Sequence, residues 1–109
     1  MRLTIAFVIL VLVSWASSLW AAGDAKAGKS VYDAKCKVCH GATGEGNPAL
    51  AKTLKVEFKP LASKETQAKT DAEIEKQITK GGGKMKPVTA LSAKQVADVI
   101  AFVRSLAKS

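Results

Sequence analysis

The stretch Cys36-Lys37-Val38-Cys39-His40 decides the interpretation of this 109-residue chain. Its pattern, C-x-x-C-H, is the signature of covalent haem attachment. Two thiols three residues apart at a helix end can add to the two vinyl groups of a haem, and the adjacent histidine then lies under the iron. The pattern therefore predicts one haem c, with thioether bonds at Cys36 and Cys39 and with His40 as an iron ligand.

Three other uses of this pattern compete with haem attachment. A thioredoxin-like dithiol needs a C-x-x-C beside a βαβ unit, and no stretch of the chain alternates with the period of a strand. A structural zinc site takes four Cys or His ligands, whereas the chain holds two Cys and one His. A disulfide is compatible with an exported protein but leaves His40 unexplained. These comparisons favour haem.

A haem that only carries electrons needs a second axial ligand, and Met85 is the candidate. One histidine cannot form a bis-histidine site within one molecule, and Met1, the other methionine, lies in the N-terminal segment. Met85 is part of the Gly-rich stretch 81–87, which suits a loop over a flat cofactor. His/Met ligation is typical of cytochromes c. The alternative is that Met85 only fills a gap in the core.

Residues 1–23 have the parts of an export signal. Arg2 supplies positive charge, residues 3–13 are apolar apart from Thr4, and small residues follow up to Gly23. We predict a cleaved signal peptide over 1–23 and a mature domain over 24–109. An uncleaved anchor over residues 3–22 is the alternative, since about 20 apolar residues span a bilayer. Both predict a periplasmic domain, which contacts the membrane only if the segment is retained.

Capping signals predict an all-α domain. Asp24 can cap a helix that runs to about Lys35, and the T-x-x-E pattern at Thr70 begins a helix that ends near Lys80. Residues 41–69 are mostly loop, with room for a short helix over 49–54. Ser92 begins a last helix whose apolar residues recur with helical period: Val96, Val99, Ile100, Val103 and Leu106.

The size of the chain favours a bound cofactor. Loss of residues 1–23 would leave 86 residues and a net charge of +7 instead of +8, because Arg2 is the only charged residue removed. A domain this small has a marginal apolar core. Its aromatic residues are only Tyr32, Phe58 and Phe102. A haem would supply the missing apolar bulk.

Residues 24–109 resemble the short bacterial class I cytochromes c. The resemblance rests on Gly28 and Tyr32 ahead of C-K-V-C-H, on the G-x-G-K-M loop, and on Phe102 in the last helix. It implies the small class I cytochrome c fold, in which three to four helices wrap around one covalently bound haem.

The resemblance also implies two residue roles. Gly28 would let Phe102 pack where the first and last helices cross. Pro48 stands where the family has a proline whose carbonyl accepts the ring N–H of the haem histidine, here His40. Such a bond orients the ligand and raises its basicity. The alternative for Pro48 is an ordinary Asn-Pro turn.

The expected function is one-electron transfer between redox partners, by a protein that is not an enzyme. Axial ligation, burial and hydrogen bonding would set the potential, and no substrate would bind the iron. Two alternatives stay open: an open-site haem sensor or enzyme with a displaceable sixth ligand, and a haem subunit of a larger oxidoreductase complex. We expect a monomer.

The positive charge predicts redox partners with acidic docking surfaces, because complementary fields speed encounter. Four lysines lie within a few residues of the haem-binding positions and are predicted to ring the exposed haem edge: Lys35, Lys37, Lys84 and Lys86. The alternative is that they are ordinary solvated charges. Nucleic acid is not expected as a partner of an exported domain.

Overall fold

The structure is a computed structural model that describes residues 23–108. This part of the chain contains six helices: α1 (Ala25–Lys35), α2 (Lys37–His40), α3 (Pro48–Leu54), α4 (Lys64–Gln67), α5 (Asp71–Lys80) and α6 (Ala93–Leu106). Its one β-type pairing is an isolated bridge between Gly82 and Met85. The all-α prediction is confirmed. The four-residue helices α2 and α4 were not predicted.

The predicted signal peptide, residues 1–23, and the alternative anchor, residues 3–22, lie outside the described residues except for Gly23. Among residues 23–108, no helix combines the length and the apolar character needed to cross a bilayer.

The helices begin where the capping signals predicted. At α1, Asp24 Oδ1 accepts the N–H groups of Lys26 and Ala27 at 2.9 and 3.3 Å. At α6, the Gln95 N–H donates to Ser92 Oγ at 3.1 Å, and the Ser92 N–H donates to Gln95 Oε1 at 2.9 Å. These reciprocal bonds form a complete capping box, which satisfies backbone donors that the first helical turn leaves free.

The core lies where α1 and α6 cross. Tyr32 of α1 and Val99 of α6 are its largest fully buried side chains, and the Tyr32 and Phe102 ring centroids are 4.8 Å apart. Helix α5 adds Ile74 and Ile78 to the same cluster. The apolar stripe predicted for α6 is buried at four of its five positions, and Leu106 is partly buried.

Gly28 permits a close backbone approach at this crossing. A Cβ atom at Gly28 would lie 1.8 Å from the Asp98 carbonyl oxygen and 2.9 Å from the Val99 nitrogen. The resemblance implied that Gly28 lets Phe102 pack where the first and last helices cross. The structure places the α6 backbone against Gly28, and Phe102 packs on Tyr32, one helical turn further along α1.

Asp98 is the one charged side chain that is buried within the described residues, at 4% exposure. Its Oδ1 accepts the Asp24 N–H at 2.8 Å, and its Oδ2 pairs with Lys94 Nζ at 2.8 Å. The hydrogen bond from Lys94, followed by that from the Asp24 backbone, lowers the pKa of this carboxyl. A buried charge needs such partners. Asp98 therefore ties the start of α1 to α6.

Candidate haem-attachment site

The C-x-x-C-H segment forms the junction between α1 and α2. Cys36 is the C-cap of α1, where its N–H donates to the Tyr32 carbonyl at 2.8 Å, and it is also the N-cap of α2. The His40 N–H donates to the Cys36 carbonyl at 2.9 Å. Residues three and four positions apart are neighbours on a helix. The structure thus brings Cys36, Cys39 and His40 together on one helical turn.

Both cysteines are free thiols in the described structure. Burial, with a smaller contribution from Cys39, raises the pKa of the Cys36 thiol to about 11. Redox-active C-x-x-C pairs depend on a lowered thiol pKa. The surroundings of Cys36 therefore argue against a thioredoxin-like dithiol, and both sulfur atoms are available for thioether bonds.

The surroundings of His40 favour metal binding by its imidazole ring. Its Nδ1 is buried and has no hydrogen-bond partner within residues 23–108. A buried polar atom left unpaired costs about 1–3 kcal/mol. Burial also lowers the pKa of His40, which favours the neutral imidazole that can donate a lone pair. The Phe58 ring packs edge-on to the imidazole, with centroids 5.8 Å apart. A histidine that binds a metal through one ring nitrogen uses the other nitrogen as a hydrogen-bond donor. Nε2 would therefore bind a haem iron, and the unpaired Nδ1 would carry the ring N–H.

The bond predicted between His40 and Pro48 is not formed in the structure, because His40 Nδ1 has no partner within residues 23–108. Pro48 is exposed and is the first residue of α3. A carbonyl in the first turn of a helix points along the helix, toward the N–H four residues ahead. The helical start at Pro48 thus directs its carbonyl into α3.

Two polar side chains hold the segment around His40, and sequence reasoning missed both roles. The Asn47 side-chain amide donates to the Val38 carbonyl at 3.0 Å, and the Asn47 N–H donates to the Cys39 carbonyl at 2.8 Å. The Tyr32 hydroxyl donates to the Gly41 carbonyl at 2.5 Å. Asn47 also caps α3. The Asn47-Pro48 pair in the sequence indicated this helix start, since Asn is a preferred N-cap and Pro a preferred first helical residue.

Met85 lies in the loop between α5 and α6. Its backbone forms two 3.0 Å hydrogen bonds with Gly82, and its partly buried side chain packs against the core cluster that contains Cys36. The Gln77 side-chain amide donates to the Met85 sulfur at 3.5 Å. A thioether sulfur has a second lone pair, which stays available for a metal. Sequence reasoning did not find Gln77, because its role depends on how the loop folds back over α5.

Metal binding by protein side chains alone has no support in the described part of the chain. No group of three or more His, Cys, Asp and Glu side chains there is arranged to hold a metal ion. This agrees with the count of one His and two Cys, which is too low for a structural zinc site.

Comparison with known proteins decides the family. The family model of cytochrome c matches residues 25–107 of the chain. The chain belongs to the cytochrome c family. It is also similar to the solved structure of the KustC0563 c-type cytochrome, with 30% sequence identity and a TM-score of 0.62 over 72% of this chain and 95% of that one. No curated protein matches it.

Membership of the cytochrome c family makes the chain a haem-based electron carrier, and the family binds haem c covalently. The residues present fit that group. Cys36 and Cys39 are unpaired thiols at the attachment spacing, and burial lowers the pKa of His40, which favours the neutral ring that can bind iron through Nε2. The small class I cytochrome c fold implied by the sequence is confirmed.

Proposed function

We propose that this cytochrome c carries one electron at a time in the periplasm on a single haem. The haem would be attached at Cys36 and Cys39, with His40 and Met85 as axial ligands. The observation that carries the proposal is the position of Met85, which packs against the cluster that contains Cys36. Met85 is the only methionine after the predicted signal peptide.

The surrounding residues suit this ligand pair. When bound, haem supplies an iron that cycles between the ferrous and ferric states. Burial lowers the pKa of His40, which favours its neutral form, and the Gln77 amide withdraws electron density from the Met85 sulfur. A weak sulfur donor favours the ferrous state, which raises the potential. Two ligands from the chain leave no site for substrate, so electron transfer would be outer-sphere.

The Met85→Ala variant is expected to lose the ferric charge-transfer band typical of iron–sulfur ligation. Its reduction potential should fall by on the order of 100 mV, because the axial ligand sets the potential. Its ferrous form should bind carbon monoxide rapidly. The full chain would be produced in cells with periplasmic haem-attachment machinery. Absorption spectra and redox titrations provide the measurements.

N-terminal sequencing of the same protein tests cleavage of the predicted signal peptide and should show a start near Asp24.

Val88→Ala is the matched control for this experiment. Val88 is another partly buried residue of the same loop that packs against the same cluster, but it has no ligand atom. It should keep the band and the potential. A wild-type protein without the sulfur band would favour the open-site sensor or enzyme instead.

We further propose that the redox partners present acidic surfaces. Lys35 and Lys37 are exposed beside the predicted attachment cysteines. Val38, which lies between Cys36 and Cys39 in the sequence, is 68% exposed. A small apolar contact framed by positive charge suits a weak complex with an acidic protein, because charge steers the encounter while the contact stays small.

The double variant Lys35→Gln/Lys37→Gln is expected to react about 2- to 10-fold more slowly with its partner at low ionic strength. The difference should shrink as salt screens the charges. Stopped-flow kinetics would measure both rates. Lys26→Gln is the control, since Lys26 is exposed and lies about 15 Å along α1 from Cys36. Rates that do not depend on ionic strength would refute acidic docking.

A further inference from the structure

Lys84 forms an unusual long-range contact beside the proposed ligand Met85. Its Nζ donates to the Leu54 carbonyl at 2.8 Å, across 30 residues of sequence. Leu54 is the last residue of α3. Carbonyls in the last turn of a helix lack helical partners and carry partial negative charge. The Leu54 carbonyl is therefore a suitable acceptor for an ammonium group.

The turn that carries Lys84 is small and well defined. Gly82 and Met85 pair through two backbone hydrogen bonds, and Gly83 and Lys84 form the tip between them. Gly83 has a φ of +56°, which glycine adopts without strain. Lys84 thus lies at the tip of the turn. A contact of its side chain also restrains the position of the adjacent Met85.

The bond from Lys84 to Leu54 reaches further than the other hydrogen bonds of this loop. The other hydrogen bonds described for residues 81–88 stay within residues 77–88. The bond from Lys84 is the one that reaches the half of the chain containing C-x-x-C-H. It therefore joins the Met85 loop to the His40 half of the protein.

Lys84 and Lys86 flank Met85 but differ in their contacts. Both are exposed. Lys84 binds the Leu54 carbonyl, whereas no hydrogen bond or ion pair is described for Lys86 within residues 23–108. The two lysines, which the sequence grouped together as docking charges, therefore have different surroundings.

We infer that Lys84 is a positioning residue for Met85: its bond to the Leu54 carbonyl closes the ligand loop on α3 and holds the thioether in place. The inference rests on the proposed ligation by Met85. Opening of the loop would free the sixth position, so the fraction of open loop sets how well an external ligand competes with Met85.

Binding of imidazole to the ferric holoprotein tests the inference. Lys84→Leu, which removes the charge and the donors and adds no ligand atom, should bind imidazole about 3- to 10-fold more tightly than wild type, as expected for loss of one charge-assisted hydrogen bond at an exposed site. Lys86→Leu should bind imidazole as wild type does. The sulfur band of Lys84→Leu should also disappear at a lower temperature than its helical circular dichroism.

The outcomes separate this inference from the proposed function. If wild type lacks the sulfur band, ligation by Met85 is wrong and the role of Lys84 is wrong with it. If wild type shows the band but Lys84→Leu and Lys86→Leu bind imidazole equally, only the role of Lys84 is refuted. Equal tightening in both variants would point to charge rather than to the bond. Circular dichroism at 25 °C checks that each variant is folded.

Discussion

Gly28→Ala is expected to destabilise the domain by about 3 kcal/mol or more and to lower its melting temperature by about 10–20 °C. Alanine at an ordinary helical position stabilises a helix by up to about 1 kcal/mol relative to glycine. At Gly28 the added methyl would lie 1.8 Å from the Asp98 carbonyl oxygen. A backbone atom cannot rotate away, so α1 and α6 must separate.

The separation would reach beyond Gly28. Tyr32 packs on Phe102 next to the same crossing, and Asp98 holds the start of α1. Thermal unfolding of the holoprotein would measure the effect. Ser30→Ala is the control, because Ser30 is exposed on the same helix and its replacement should change stability by less than about 0.5 kcal/mol. A melting temperature for Gly28→Ala equal to that of wild type would contradict the tight crossing.

Removal of both attachment thiols, in Cys36→Ala/Cys39→Ala, is expected to leave the domain largely unfolded at 25 °C. The buried apolar residues described for the chain are few, and only Tyr32 and Phe102 among them are aromatic. A haem that buries several hundred Å² of apolar surface contributes on the order of 10 kcal/mol at about 25 cal/mol per Å². This contribution is comparable to the whole free energy of unfolding of a typical domain, which is about 5–15 kcal/mol.

Circular dichroism and haem staining of the periplasmic protein would test this expectation. The double variant should show no covalent haem and little helical signal. Cys39→Ala is the control, because it keeps the thiol of Cys36 and should retain one thioether bond and a folded domain. A double variant with the helicity and cooperative unfolding of wild type would show that the side chains alone hold the fold.

Two features of the structure could not be predicted from the sequence. The bond from His40 to Pro48 was inferred from a position in the sequence, but the helical start at Pro48 redirects its carbonyl, and His40 Nδ1 is left unpaired. Asp98 is a charged residue within a stripe of buried positions. Its burial could not be predicted, because its partner at Asp24 is 74 residues away.

The sequence by itself determined the C-x-x-C-H pattern, the starts of α1, α5 and α6, and the single candidate sulfur. These depend on local features: the spacing of Cys36, Cys39 and His40, capping residues three positions from their partners, and the residue count. Only the tertiary structure decided how closely Gly28 meets α6 and where Lys84 binds. Those contacts join segments 30 or more residues apart, and their geometry follows from how whole helices pack rather than from neighbouring residues.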